Sequence, residues 1–223
     1  MVKIDKIVRS KRKTVAIIVE PDGRLVVRAP KRASKRLIQA MVNEREEWII
    51  SKQAEARAEY LRTIPRKFKQ GEEFFFMGKA YPLMLVDRRR PLLVLNGRFE
   101  LSRNAHKRAE EVFVEWYRDR ARQVITKRVE EIALVHSFHY QGIRITSART
   151  RWGSCNSRGG LNFTWRLVMM PLPIIDYVVL HELVHTQIQN HSRSFWNRME
   201  AEMPDCKQRR KWLKENGYIF HFP

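Results

Sequence analysis

The chain has 223 residues, with 44 Lys+Arg against 24 Asp+Glu and a formal net charge of +20. A hydrophobic fraction of 43%, with six Trp and eleven Phe, supports a packed core and excludes a disordered chain. Two cysteines, Cys155 and Cys206, exclude a disulfide framework and fit a reducing compartment.

The first thirteen residues are basic but lead into no apolar run of the kind a signal peptide carries, so a cytoplasmic protein is expected. Residues 14–20 and 24–29 are rich in β-branched side chains and flank Pro21-Asp22-Gly23, which predicts a hairpin. Ser34 is a candidate N-cap for a helix whose stripe holds Ile38, Met41, Val42, Trp48 and Ile49. That spacing assigns Trp48 to the core. Residues 62–69, with Pro65, read as a linker.

Short strands follow at 74–77 and 81–86, around Gly78-Lys79. Another hairpin follows at 92–95 and 98–101, around Asn96-Gly97. Asn104 is placed to cap a long helix over 105–136, with Phe113, Tyr117, Ala121, Val124 and Ile132 towards the core. The change of character near residue 103 suggests a β-rich basic region with one helix over 1–103, and a second domain over 104–223. Residues 1–104 hold 25 Lys+Arg against 12 Asp+Glu, including runs at 31–36, 66–69 and Arg88, Arg89 and Arg90. Such a surface attracts polyanions, and it reads equally well as a solvated face without a partner.

Residues 142–147 predict a strand, 156–160 a turn, and Leu161, Phe163, Trp165 and Leu167 alternate as a second strand. The longest apolar stretch, 167–179, is broken by Pro171, Pro173 and Asp176 and is too short to span a bilayer. A helix over 173–189 then carries His181-Glu182-Leu183-Val184-His185. Histidines four apart lie on one helical face, and Glu182 projects about 100° round from His181. His191 follows beyond the helix and closes a three-histidine set. Three protein ligands with one open position are the pattern of a catalytic Zn²⁺ site. Tyr177, four before His181, shares the metal face. Ser192 is placed to cap a helix holding Phe195, Trp196 and Met199, and Met203-Pro204 is a candidate apolar floor under the metal.

Arg151-Trp152-Gly153-Ser154-Cys155, Trp165-Arg166-Leu167-Val168-Met169, Asp176-Tyr177-Val178-Val179, the H-E-x-x-H element and Asn190-His191-Ser192 with Phe195-Trp196 stand here in one order. Together they resemble the YgjP-like metal-dependent hydrolases, relatives of the SprT and WLM zinc metallopeptidases. The resemblance implies an α+β, zincin-like metallopeptidase domain over the second part of the chain. It also implies metal ligands His181, His185 and His191, and a catalytic Glu182. The wider H-E-x-x-H-x-x-G-x-x-H class turns at a glycine where this chain has Ile188, so Asn190 is expected to supply the turn instead.

The reaction expected is hydrolysis by a metal-activated water, with Glu182 as general base and the leaving amine as final proton acceptor. Tyr177, Arg149 and Arg151 are candidates to stabilise the oxyanion or contact substrate. The strand over 161–167 is expected to pair with an extended peptide, and Cys155 reads as an inert thiol rather than a fourth ligand. A second reading keeps the metal and makes the substrate a nucleotide phosphoanhydride held by arginines. A third makes the protein a nucleic-acid-associated protease or binding module.

Overall fold

Pro21-Asp22-Gly23 turns the chain between two antiparallel strands in the computed structural model, which describes residues 2–63, 66–87, 90–220 and 222. Those strands are β2, Ala16–Val19, and β3, Leu25–Pro30. Gly23 supplies the left-handed residue, with φ +83°. An additional strand not expected from the residue pattern, β1 (Lys6–Ser10), runs parallel to β3 and makes it the central strand.

Ser34 caps α1, Lys35–Glu44, its hydroxyl accepting from the Leu37 amide at 3.1 Å. The expected stripe is interrupted at Arg45, whose φ of −107° and ψ of 18° separate α1 from α2, Glu46–Thr63. Ile38, Val42 and Ile49 are fully buried against Leu25, Val27 and Ala29. Trp48 is 46% exposed, because the break rotates it off the face that the periodicity assigned to the core. These elements, with Lys211–Phe222, form one compact unit; Arg66–Arg210 form another. Residue 103 lies inside the second. Of the expected linker, Ile64 and Pro65 lie outside the described residues, as do Arg88 and Arg89 of the arginine triplet.

The second unit mixes strands and helices. Strands β4 (Glu73–Phe76) and β5 (Lys79–Val86) form a hairpin, and β6 (Leu93–Leu95) and β7 (Phe99–Ser102) another. Parallel pairing of β5 with β7 joins them into one sheet, order β4-β5-β7-β6. Asn104 does not cap the long helix: residues 103–108 form a 3₁₀ turn, and α3 begins after it, Ala109–Val135. Its buried stripe includes Phe113, Tyr117, Ala121, Ile125, Val129 and Ile132, with Val124 only half-buried beside it. Phe74 stacks on Phe113 at 4.3 Å and Tyr117 on Trp165 at 5.7 Å, so aromatic area dominates this core.

A three-stranded sheet follows, from β8 (Gly142–Thr146), β9 (Gly153–Cys155) and β10 (Gly160–Thr164). The order is β8-β10-β9, with β10 parallel to β8 and antiparallel to β9. Both edges of β10 are therefore taken, and the expectation that it receives a peptide fails. The strand also stops at Thr164. Residues 165–169 form a 3₁₀ turn that is buried throughout, so the alternation of Trp165 and Leu167 marked no exposed face.

Helix α4, Leu172–Val184, starts just after Pro171, with Pro173 in its first turn where no amide donor is missed. The Asp176 carboxylate accepts two hydrogen bonds from Arg128 of α3, at 2.6 and 2.9 Å, which pins α4 against α3. The β4–β5 turn holds the entry to α4. Met77 and Gly78 donate to the carbonyls of Val168 and Met169, both at 2.9 Å. Gly78 has φ +79°, and a Cβ there would lie 2.9 Å from the Pro171 Cα. Gly78→Ala is expected to destabilise the protein by about 1–3 kcal/mol, because backbone rather than a mobile side chain must yield. Denaturant unfolding measures it, and an unchanged midpoint would show that this turn does not hold the helix.

Helices α5 (Arg193–Glu202) and α6 (Cys206–Asn216) close the chain. Among the described residues no helix is long and apolar enough to cross a membrane.

Candidate metal centre

His181 and Glu182 lie in the last turn of α4, and His185 is its C-cap. The helix ends at Val184, five residues short of the expected 189. The Thr186 and Gln187 amides bond three residues back, to Leu183 and Val184, which tightens the last turn. The Gln189 side-chain amide donates to the His185 carbonyl at 2.7 Å and caps it. Asn190 does not adopt left-handed geometry: the described non-glycine residues with positive φ are Phe68, Met77 and Ser137. Its side-chain oxygen instead accepts from the Ser192 amide at 3.3 Å, a local turn that brings His191 back.

The three Nε2 atoms converge. His185 Nε2 lies 3.2 Å from His181 Nε2 and 3.1 Å from His191 Nε2, and the third separation is 3.1 Å. His185 Nδ1 is 3.0 Å from the Ile188 carbonyl, a contact that requires the proton on Nδ1 and leaves Nε2 a lone pair. Burial first, then the neighbouring His185 and His191, then Arg210, hold His181 down at about 3. Burial, His185 and Arg210 also lower His191. At His181 and His191 these shifts favour the neutral imidazole, the form that metal binding demands.

That donor set fits a cation. Three converging lone pairs repel one another unless a positive charge lies between them. A tetrahedral ion with nitrogen ligands at about 2.0–2.1 Å sets its donors about 3.3–3.4 Å apart, within a few tenths of those found. His181 Nδ1 is buried without a hydrogen-bond partner among the described residues, so the site gives that ring no polar anchor but its Nε2 side.

Phe195 forms the floor. Its ring centroid lies 4.9, 4.6 and 4.9 Å from those of His181, His185 and His191, and it is fully buried. The apolar floor sought at Met203-Pro204 is thus supplied by Phe195, in the first turns of α5. Trp196 stacks on His191 at 5.8 Å with planes 21° apart, and Arg210 lies over Trp196, 4.4 Å from its centroid. Trp196 stands in the segment that carries the family resemblance, whereas Arg210 carried no sequence signal for this site and is brought in by its contact with Trp196.

Glu182 is 6% exposed. Burial raises it to about 7, opposed by the charge of Arg151 and by a hydrogen bond from the Cys155 amide. Gly153 makes this possible: a Cβ there would stand 2.6 Å from Glu182 Oε1 and 2.7 Å from its Cγ. The Trp152-Gly153-Ser154-Cys155 element therefore holds the glutamate through β9. Tyr177 is buried, its ring 6.0 Å from that of His181, and burial pushes its hydroxyl up to about 12. Arg149 and Arg151 are both exposed, and the charge of Arg151 acts on Glu182. Cys155 stands outside the histidine cluster, its thiol donating to the Asn156 carbonyl at 3.3 Å.

A helix that presents two of three converging histidines, with a buried glutamate between them, defines a metal-binding hydrolase type of site. Residues 13–216 match the family described as YgjP-like, metallopeptidase domain, and the chain belongs to that family. A metallopeptidase domain implies a divalent metal and a peptide or protein substrate. Among solved structures the chain is similar to the metallopeptidase zymogen of Pyrococcus abyssi abylysin, at 18% identity and a TM-score of 0.36. The likeness covers 40% of this chain and 93% of that one, and is too slight to bear on function. No curated protein matches.

Proposed function

We propose that the protein is a zinc-dependent peptidase in which His181, His185 and His191 hold the metal and Glu182 is the general base. The convergence of three Nε2 atoms within 3.1–3.2 Å of one another carries this reading. Imidazole donors suit zinc, whereas magnesium and calcium take oxygen ligands. Zinc held there supplies Lewis-acid polarisation of the scissile carbonyl and acidifies water.

The protein's own groups do the rest. Glu182 takes a proton from the attacking water as its oxygen bonds to the carbonyl carbon. It then delivers that proton to the amide nitrogen as the C–N bond breaks, so the products are a carboxylate and an amine. A carboxyl group near 7 in the free protein suits both roles. Tyr177, protonated and close to His181, is the donor we assign to the developing oxyanion; Arg149 and Arg151 contact substrate from the exposed side. An extended peptide would pair with β9, the sheet edge beside Glu182.

Gly153→Ala tests the role of β9. The added methyl displaces the Glu182 side chain, and kcat for a peptide is expected to fall about 10- to 100-fold, with metal content retained. Unchanged kcat would remove β9 from the positioning of the base. The functional reading itself is tested by offering casein and nucleoside triphosphates in parallel to the zinc-loaded protein. Cleavage of casein is expected; release of pyrophosphate without casein cleavage would overturn it.

A further inference from the structure

Arg210 is a cation left without an anion beside the metal centre. Its guanidinium carbon lies over the Trp196 ring, 4.4 Å from the centroid, and Trp196 in turn stacks on His191 and stands 6.1 Å from His181. It is exposed and makes no hydrogen bond or ion pair with any described residue. The surrounding carboxylates are committed elsewhere. Asp205 pairs with Arg209 at 2.8 Å, Glu200 with Lys207 at 2.8 Å, and Glu202 with Arg198 at 2.8 Å and with His136. Yet its charge reaches the centre, where it acts on His181, His191 and Tyr177.

A guanidinium stacked on an aromatic face keeps its edge N–H donors in the ring-parallel plane, free to grip a carboxylate with two parallel hydrogen bonds. The stack also fixes the side chain, so little freedom is lost when the anion binds. A carboxylate at this guanidinium would offset the repulsion between it and a metal ion held by the three histidines.

We propose that Arg210 is a specificity-determining residue that binds a carboxylate of the peptide substrate, either an acidic side chain or the free C-terminus, beside the three-histidine centre. The proposal rests on the peptidase reading for its substrate class. Arg210 touches no reacting atom in it.

The test uses zinc-loaded Glu182→Gln protein, so that binding is read without turnover. Fluorescence anisotropy compares peptides of one sequence bearing Glu or Gln at successive positions, each as the free C-terminal acid and as the amide. At least one Glu position, or the free acid, is expected to bind about tenfold tighter than its neutral counterpart, as a charge-assisted pair would give. Which arm shows the preference identifies the source of the carboxylate. Adding Arg210→Gln should bring that ratio close to one, and Arg210→Glu should turn the preference towards Lys at the same position. A merely structural Arg210 would weaken all peptides alike and would not reverse the preference. No acid preference at any position, or one that survives Arg210→Gln, overturns the proposal. Wild-type cleavage of the same peptides separates the two claims. Failure to cleave any would defeat the peptidase reading, while the binding ratios would still decide the role of Arg210.

Discussion

Glu182→Gln is expected to keep the fold and the metal and to lose almost all hydrolysis. Gln is nearly isosteric, and its side-chain oxygen can still accept the hydrogen bond that the Cys155 amide gives the carboxylate. The residue is buried and lies close against Gly153, so a side chain of the same shape keeps the same contacts. What the amide cannot do is take a proton from water at neutral pH. A drop in kcat of about 10²- to 10⁴-fold is therefore expected, the range over which general bases act. Steady-state kinetics with metal analysis on the same sample measures both halves of the claim. Equal activity of variant and wild type would remove Glu182 from the mechanism.

The second large effect is on the metal. His181→Ala or His185→Ala removes one of three donors and leaves a pair that cannot close around an ion. Zinc affinity is expected to fall by at least about a hundredfold, since even partners outside the donor set cost 10- to 100-fold. His185→Ala carries a further loss, because its Nδ1 contact with Ile188 helps shape the turn towards His191. Competition titration with a chromogenic chelator reads this directly. Retained tight binding in both variants would place the metal elsewhere.

Local chemistry was legible in the sequence where one short segment decides the structure. Ser34 caps its helix, Asn96-Gly97 turns its hairpin, and the four-residue spacing of His181 and His185 sets both on one side of α4. What the sequence did not disclose depends on partners far along the chain. The parallel pairing of β1 with β3 leaves no periodic mark on residues 6–10. Phe195 and Trp196 were legible as part of a family motif but not in their role, since only the return of α5 sets them under and beside the histidines. Gly153 stands in the sequence only as one residue of a family motif, and its physical reason, the Glu182 carboxylate lying where a Cβ would be, depends on a residue 29 positions on. Period alone also misled at Trp165 and Leu167. A segment buried on every side shows no polar face, so alternation over a few residues cannot separate a strand from a 3₁₀ turn.

The central claim is that one metal ion, held by His181, His185 and His191, makes this chain a peptidase. The most direct measurement is casein hydrolysis by protein stripped with chelator and then titrated with zinc. Activity is expected to vanish on stripping and to return as zinc is added, reaching its plateau near one equivalent per chain. Hydrolysis that survives stripping, or a stripped protein that takes up zinc and stays inactive, would contradict the account.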